Sequence, residues 1–504
     1  MKRKDREKLQ QREAGLLERL ANEPEVRATP MMSATNVAYE VSDRVEATAW
    51  GGVAAMHQLA RAVGLVDALD EQVHVFEVHK PYHESDHVLN VALNVLAGGT
   101  CLEDLALRRR DPAYLTARGS TRIPDPTAAA DFIRRFGDEA SVLNPMGAID
   151  AVRPGVWAQM PLRDRRRAVI DTDGTLAPTT GERKEGMGLS YKGVWGYHPL
   201  VVSLSNTREV LYLVNRPGNA VSHEGAAAYR DRAIALVRES FQEVWLRGDT
   251  DFSLPEHLDR WTRDGVKFVL GYDAMPHLVE RAQALPQSAW QPLERPTPSR
   301  PKQRRQGRAN VKERIVKEKG YKNIRLNSGQ VAEFPYRPGQ CAREYRTGAV
   351  RKNLGVEKGE AVLFDDVRYF FYVTHDRTMS ARDTVRFIDK RGGHENDIEP
   401  LKNGLRAMRM PSGDLYSNGA YMAMAALAWN LKAWYGLPMP GRGTGAEGVR
   451  MEFVRFRKGF MALPAQVLRQ ARRICLRLLA GTPYAEAFLE MFARIRTTRF
   501  AYRL

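Results

Sequence analysis

The sequence predicts an α/β fold: a mixed-sheet core carrying a β-rich insertion and preceded by an all-helical N-terminal domain. Three observations carry this. Residues 50–145 space their apolar residues at helical intervals. From Arg167 onward, short apolar strands ending in acids alternate with helices. Strand-like sequence then fills Val331 to Thr374 before helices resume at about His394. Three strands followed by alternating helix and strand imply a layered α/β domain.

Each element has its own signal. Residues 1–20 read as an exposed charged helix without a wide apolar stripe. Val53–Val63, His87–Ala97, Leu102–Arg109 and Ala128–Phe136 read as helices, punctuated by Gly98-Gly99 and Pro124-Asp125-Pro126. Ala168–Asp173 is a strand, followed by strands at Tyr197–Leu204 and Val210–Val214 around an Asn206-Thr207-Arg208 turn. Gly225–Phe241 has helical spacing, Val244–Asp249 is a strand, Leu258–Asp264 a helix and Lys267–Tyr272 a strand. Ala420–Tyr435 is a helix apolar nearly all round, and so buried. Ala465–Leu479 reads as a basic helix ahead of an Arg-rich tail.

The chain has 504 residues, 43% hydrophobic and 27% charged, with a net charge of +17. That composition is ordinary for a globular protein, and the charge predicts a polyanionic partner. The excess sits in two runs, net +10 from Arg295 to Arg325 and net +9 from Arg442 to Arg503. Such runs suit contact with a phosphate backbone, which makes Arg304, Arg305, Arg308 and Lys312 candidate DNA contacts. Three cysteines without paired spacing exclude a disulfide scaffold or a zinc finger and fit a reducing cytoplasm. Met1 to Lys8 lacks the apolar core of a signal peptide, and Ala420–Trp429 is too short to span a bilayer, so no membrane partner is expected.

Asp173 and Asp249 each end an apolar strand before a small or polar turn. Carboxylates brought together at a sheet edge repel unless a cation lies between them, and Mg²⁺ prefers such hard oxygen ligands. A third carboxylate allows a two-ion site. Glu395 is the best third acid. On a helix it shares a face with Lys402, two turns on, so that an ammonium can meet a phosphate near the acids. Arg391 supplies a second phosphate contact.

Taken in order, Val169-Ile170-Asp171-Thr172-Asp173-Gly174-Thr175, Tyr197-His198-Pro199-Leu200, Arg216-Pro217-Gly218-Asn219 and Leu246-Arg247-Gly248-Asp249-Thr250-Asp251-Phe252 resemble DDE transposases of bacterial insertion sequences, most closely the insertion-sequence thirteen-eighty group. Arg391, Glu395 and Lys402 are similar to that family's Y-R-E-K signature, whose Tyr falls at Ile388 beside Phe387. Ala425–Leu431, Tyr82–Asp86 and Leu96–Thr100 also resemble it, so the likeness covers most of the chain from about residue 45.

The resemblance implies an RNase H-like core, two Mg²⁺ or Mn²⁺ ions, and cut-and-paste transposition by a homodimer holding terminal inverted repeats and target DNA. It implies Asp173, Asp249 and Glu395 as catalytic metal ligands, with Asp171, Asp251 and His198 as auxiliary candidates. Asp171 rivals Asp173 on the same sheet face, and Gly174-Thr175 after Asp173 favours the latter. The implied organisation is a charged arm (1–45), a helical DNA-binding domain (46–150), and an RNase H-like core in two parts, 160–290 and 386–440. A basic linker and β-rich insertion (291–385) divides that core, and a basic helical region (441–504) ends the chain.

Other motifs weigh less. His83-Glu84-Ser85-Asp86-His87 fits a zinc-protease pattern, but Pro81 puts it at a helix start. Arg247-Gly248-Asp249 spells an adhesion tripeptide by chance, and Gly186–Gly196 and Gly436–Gly448 lack a P-loop ending. Trp195 and Trp290 could stack on an extruded base but are more often packing residues. The competing expectations are a DNA-binding regulator without catalysis, or a structure-specific nuclease, on the same fold.

Overall fold

The computed structural model describes residues 3–21, 37–41, 44–79, 81–293, 324–357, 360–390, 392–437, 448–470, 473–479, 484–498 and 500. At 3–5, 324–328, 353–357, 360–366 and 392–397 only the backbone is described. The chain divides into two units, residues 1–166, 174–220 and 396–504, and residues 167–173 and 221–395.

The first unit begins with α1 (Arg3–Ala21), α2 (Val53–Ala62), α3 (Leu65–Gln72), α4 (Glu84–Leu96), α5 (Leu105–Arg109), α6 (Pro112–Ala117), α7 (Pro126–Ile133) and α8 (Glu139–Trp157). Local chemistry sets several of these helix starts. Asp111, Asp125 and Asp138 accept hydrogen bonds from the backbone N–H of Tyr114, Ala128 and Ser141 at 2.9, 2.8 and 2.7 Å. Pro112 and Pro126 occupy first-turn positions where no N–H is needed.

After α8 come the small sheet β3 (Ala177–Pro178), β4 (Gly188–Leu189) and β5 (Trp195–Tyr197) and the hairpin β6 (Leu200–Leu204) and β7 (Glu209–Val214). A buried carboxylate fastens this hairpin to the helices. Glu209 is fully buried and accepts from the indole N–H of Trp157 and Trp434 at 2.7 and 2.6 Å, and from Arg153. Each such donor offsets part of the cost of burying the charge.

Three differences from the sequence expectation stand out. Residues 47–48 are not helical but form β1 (Ala47–Thr48), paired antiparallel with Gln466 and Ala465. The expected helix over Ala465–Leu479 is instead a hairpin, β14 (Ala465–Gln470) and β15 (Arg473–Leu478). Burial alternates along Ala465, Gln466, Val467 and Leu468, and β-branched Val467 and Ile474 suit the pleat, so strand pairing overrides the apolar stripe. Helices also resume earlier than His394, at α12 (Ala381–Asp389), where Ser380 Oγ accepts from Asp383 N at 3.1 Å. Among the described residues, no helix is long and apolar enough to cross a membrane.

The second unit is built on a mixed sheet in the order β10-β11-β12-β13-β9-β8-β2. Strands β2 (Arg167–Gly174), β8 (Glu243–Gly248) and β9 (Lys267–Tyr272) are parallel. Helices α9 (Ala226–Arg238) and α10 (Pro255–Arg263) lie on the connections between them, and α11 (Pro276–Gln283) follows β9. β13 (Glu360–Thr374), β12 (Tyr345–Glu357), β11 (Ile324–Tyr336) and β10 (Gln291–Pro292) then add antiparallel. The β-rich stretch therefore joins the sheet through β13 and β9 rather than forming a separate layer. Trp245, Val269, Val331, Val350, Tyr372, Ala381 and Val385 make its buried core.

Candidate active site

β2 and β8 run parallel with Asp171 opposite Arg247 and Thr172 opposite Gly248. Asp173 is the next residue of β2 and Asp249 the first residue past β8, both at the carboxyl ends of these neighbouring strands. Hydrogen-bonded strands lie about 4.8 Å apart, so the backbones deliver the two acids side by side. Both are half-buried and reach the edge of the sheet.

Asp171 is spent elsewhere. Only 1% exposed, it accepts from Arg247 Nε and Nη2 at 2.6 and 2.7 Å, and Arg247 itself is 3% exposed. This fork-to-fork pair is the strong geometry for a guanidinium and a carboxylate. A buried carboxylate already holding a guanidinium is poorly disposed to take a metal ion. Arg247 Nη1 also donates to Phe387 O at 2.9 Å, fastening the last turn of α12.

A second arginine lies behind Asp249. Arg230 of α9 is fully buried, and donates from Nε to Thr172 Oγ1 at 3.1 Å and from Nη1 to Phe252 O at 2.7 Å. Burial pulls its guanidinium down to about 9, while Asp249 and then Asp171 oppose that shift, so it stays charged at neutral pH. Two glycines make room. A Cβ on Gly248 would lie 2.6 Å from Arg230 Nη2, and one on Gly271 would lie 2.7 Å from Thr250 N and 2.9 Å from Asp249 C. The Gly271 clash is with backbone, so a side chain there on β9 would have to displace the Asp249 turn.

The other expected residues are placed as follows. Glu395 and Lys402 share one helix, α13 (Gly392–Asn403), whose backbone alone is described at Glu395. Lys402 Nζ donates to Leu176 O at 2.6 Å, just beyond Asp173. Ile388 and Phe387 pack against the core of the second unit, which suits the apolar residue at the signature's Tyr position. Asp251 is exposed in a 3₁₀ turn, Thr250–Phe252. His198 is buried, with Nδ1 donating to Ala220 O at 2.8 Å. Arg391, Arg304, Arg305, Arg308 and Lys312 lie outside the described residues.

The remaining motifs take structural roles. His83 precedes α4, its N–H donating to Asp86 Oδ2 at 3.0 Å. His87 stacks on Phe132 at 4.4 Å, and burial pulls it down to about 4. Glu84 accepts from the backbone of Val75 and Phe76 and meets His79 Nε2 at 2.7 Å. Trp290 is buried under Arg351, whereas Trp195 is exposed. Arg247 is too deeply buried to present an adhesion tripeptide.

Sequence reasoning missed Arg247, Arg230 and Gly271. A charge inside Val244-Trp245-Leu246-Arg247 was the available signal, because a buried cation demands a partner. Among the described residues no three His, Cys, Asp or Glu groups are arranged to hold a metal ion, and the Glu395 side chain lies outside that set. Asp173 and Asp249 nevertheless fit a hard divalent cation: two adjacent, partly exposed carboxylates offer oxygen donors only.

The chain is a DDE transposase, a protein of DNA transposition and mobile elements. Residues 41–500 match the family model described as Transposase DDE domain group 1, and the chain belongs to that family. Among solved structures, the piggyBac transposase synaptic complex with hairpin DNA is similar over 82% of this chain and 84% of that one, at 10% identity and a TM-score of 0.36. No curated protein matches the chain.

Proposed function

We propose that this protein is the transposase of a bacterial insertion sequence of the thirteen-eighty group, cutting the element's ends and joining them to target DNA in an RNase H-like core. The observation that carries the proposal is the β2–β8 register, which sets Asp173 beside Asp249 while Arg247 occupies Asp171. Asp173, Asp249 and Glu395 are assigned as ligands for two Mg²⁺ or Mn²⁺ ions. Bound there, such ions would supply the positive charge that polarises a scissile phosphodiester.

The chain's own residues hold the strand. Arg391 and Lys402 are assigned to phosphates near the cut, and Arg304, Arg305, Arg308 and Lys312 to phosphates further along the duplex. Residues 46–150 are assigned to binding the terminal inverted repeats. Water opens the phosphodiester at each end and leaves a 3′-hydroxyl, which then attacks target DNA. Each step exchanges one P–O bond for another, so no covalent protein intermediate is needed. A homodimer in the cytoplasm, holding two double-stranded ends, fits this sequence of steps.

The test is cleavage of DNA carrying the element's inverted repeats, with Mg²⁺ or Mn²⁺. Asp173→Ala, Asp249→Ala and Glu395→Ala should each abolish cutting while end binding stays within a few-fold of the parent. Cutting retained in any of the three rejects the assignment. Cutting without joining would make the protein a nuclease instead.

A further inference from the structure

In the first unit a cleft of about 590 Å³ opens between α2, the β14–β15 hairpin and the helix α16 (Ala485–Thr497). Its floor is apolar, with Ala54 and Ala55 from α2, Leu476 and Leu478 from β15, and Phe488 and Phe492 from α16. Four arginines line it from four different places: Arg61 on α2, Arg118 just past α6, Arg473 on β15 and Arg496 on α16. Among the described residues no acid lines the cleft. Among the described residues none of these arginines has a carboxylate within salt-bridge distance; Arg118 lies over the Tyr114 ring at 5.5 Å and its Nη1 donates to Asn90 Oδ1 at 3.5 Å.

Four arginines around one concavity, Arg61, Arg473 and Arg496 of them exposed, give it a positive potential that the apolar floor sharpens. Such a site suits a ligand carrying several negative charges. The apolar floor asks in addition for a flat, apolar body. A nucleic-acid strand has both, and grooves combining cations with aromatic rings are the usual receptors for unpaired strands. The volume lies in the range of small-ligand sites, about 300–1,000 Å³, which admits a nucleotide or two but no turn of duplex.

We propose that this cleft binds an unpaired stretch of DNA strand, its phosphates on Arg61, Arg118, Arg473 and Arg496 and a base against Phe492 and Ile474. Gln58 and Gln470 on the wall can hydrogen-bond base edges without selecting one base. The proposal deepens the transposase reading and rests on it for the identity of the polyanion. It adds a single-strand site built by elements other than those that carry the catalytic acids.

The test uses the full chain and fluorescence anisotropy with labelled oligothymidylate and a blunt duplex of equal length, at several salt concentrations. Phe492→Ala should weaken oligothymidylate binding about 5- to 150-fold, from about 1–3 kcal/mol per stacked base, while leaving duplex affinity and the salt slope unchanged. The double variant Arg61→Ala with Arg473→Ala should flatten the single-strand salt slope by about 1.4, from roughly 0.7 per lost phosphate contact. Arg473 is exposed, so that variant remains informative if Phe492→Ala lowers the melting temperature. Unchanged oligothymidylate binding in the folded double variant overturns the proposal. So does equal loss of single-strand and duplex affinity, or displacement of oligothymidylate by polyglutamate at equal charge. Cutting retained by Asp249→Ala would instead sink the transposase reading and leave these binding results standing.

Discussion

Replacing Asp171 by Asn removes one charge from a pair whose members are 1% and 3% exposed and joined by bonds of 2.6 and 2.7 Å. The guanidinium of Arg247 is then left buried with an amide oxygen as its only replacement acceptor. Breaking a buried pair from one side costs about 3–5 kcal/mol, and the surviving acceptor places Asn at the lower end, near 3 kcal/mol. For a domain of this size that lowers the melting temperature by roughly 6–12 °C, at about 2–4 °C per kcal/mol. The double variant Asp171→Leu with Arg247→Met removes both charges, and should cost at least about 2 kcal/mol less than the sum of the single changes. Both residues lie two positions before a proposed metal ligand, and Arg247 also fastens α12 through Phe387 O. Cleavage measured well below the melting point should therefore fall about 10²-fold in Asp171→Asn, the scale of a displacement near 1 Å. Urea and thermal unfolding of the four proteins, with single-turnover cleavage, make the assay. A loss of stability under 1 kcal/mol for Asp171→Asn, or full additivity in the cycle, would refute the reasoning.

Two further perturbations probe neighbouring features. Gly271→Ala puts a methyl 2.7 Å from Thr250 N and 2.9 Å from Asp249 C, so cleavage should drop at least tenfold while the variant still folds; parent-like cleavage would mean the Asp249 turn can yield. His87 has a folded-state pKa near 4, below the ordinary 6.5, because burial disfavours its charged form. The unfolded chain takes up that proton first, so the contribution is fully present above about pH 6.5 and is lost as pH falls toward 4. This amounts to about 3 kcal/mol at 1.36 kcal/mol per pH unit. His87→Phe, which keeps the stack on Phe132, should flatten the acid limb of stability relative to the parent in melts from pH 7.5 to 4.5; identical limbs would contradict it.

Much of the sheet edge that carries Asp173 and Asp249 was legible because strands with strict local patterns announce themselves. Lys267–Tyr272 is a strand over the predicted residues, and the runs ending at Asp173 and Asp249 pair in parallel as the alternation of strand and helix implies. Interactions set by register and close approach were not legible. Nothing local says that Arg247 faces Asp171, since that follows from which residue of β2 lies opposite which residue of β8. Gly271 looks like any strand glycine until the Asp249 turn is laid over it. The stretch Ala465–Leu479 satisfies both helical and strand periods, and its pairing with β1, distant in sequence, decides between them. Thus the strand ends carrying Asp173 and Asp249 were legible in the sequence, and the structure added the register that sets them side by side.

The two buried arginines have a consequence for the resting protein. Asp171, Asp173 and Asp249 bring three carboxylates to the ends of two neighbouring strands, while Arg247 pairs with Asp171 and Arg230 sets a second cation behind Asp249. The polypeptide itself thus offsets part of the mutual repulsion, and the sheet is expected to stay closed without an inorganic counterion. Chelators should silence the chemistry yet leave the thermal transition where it was. A transition that drops by several degrees in EDTA would show that the scaffold borrows its cohesion from outside.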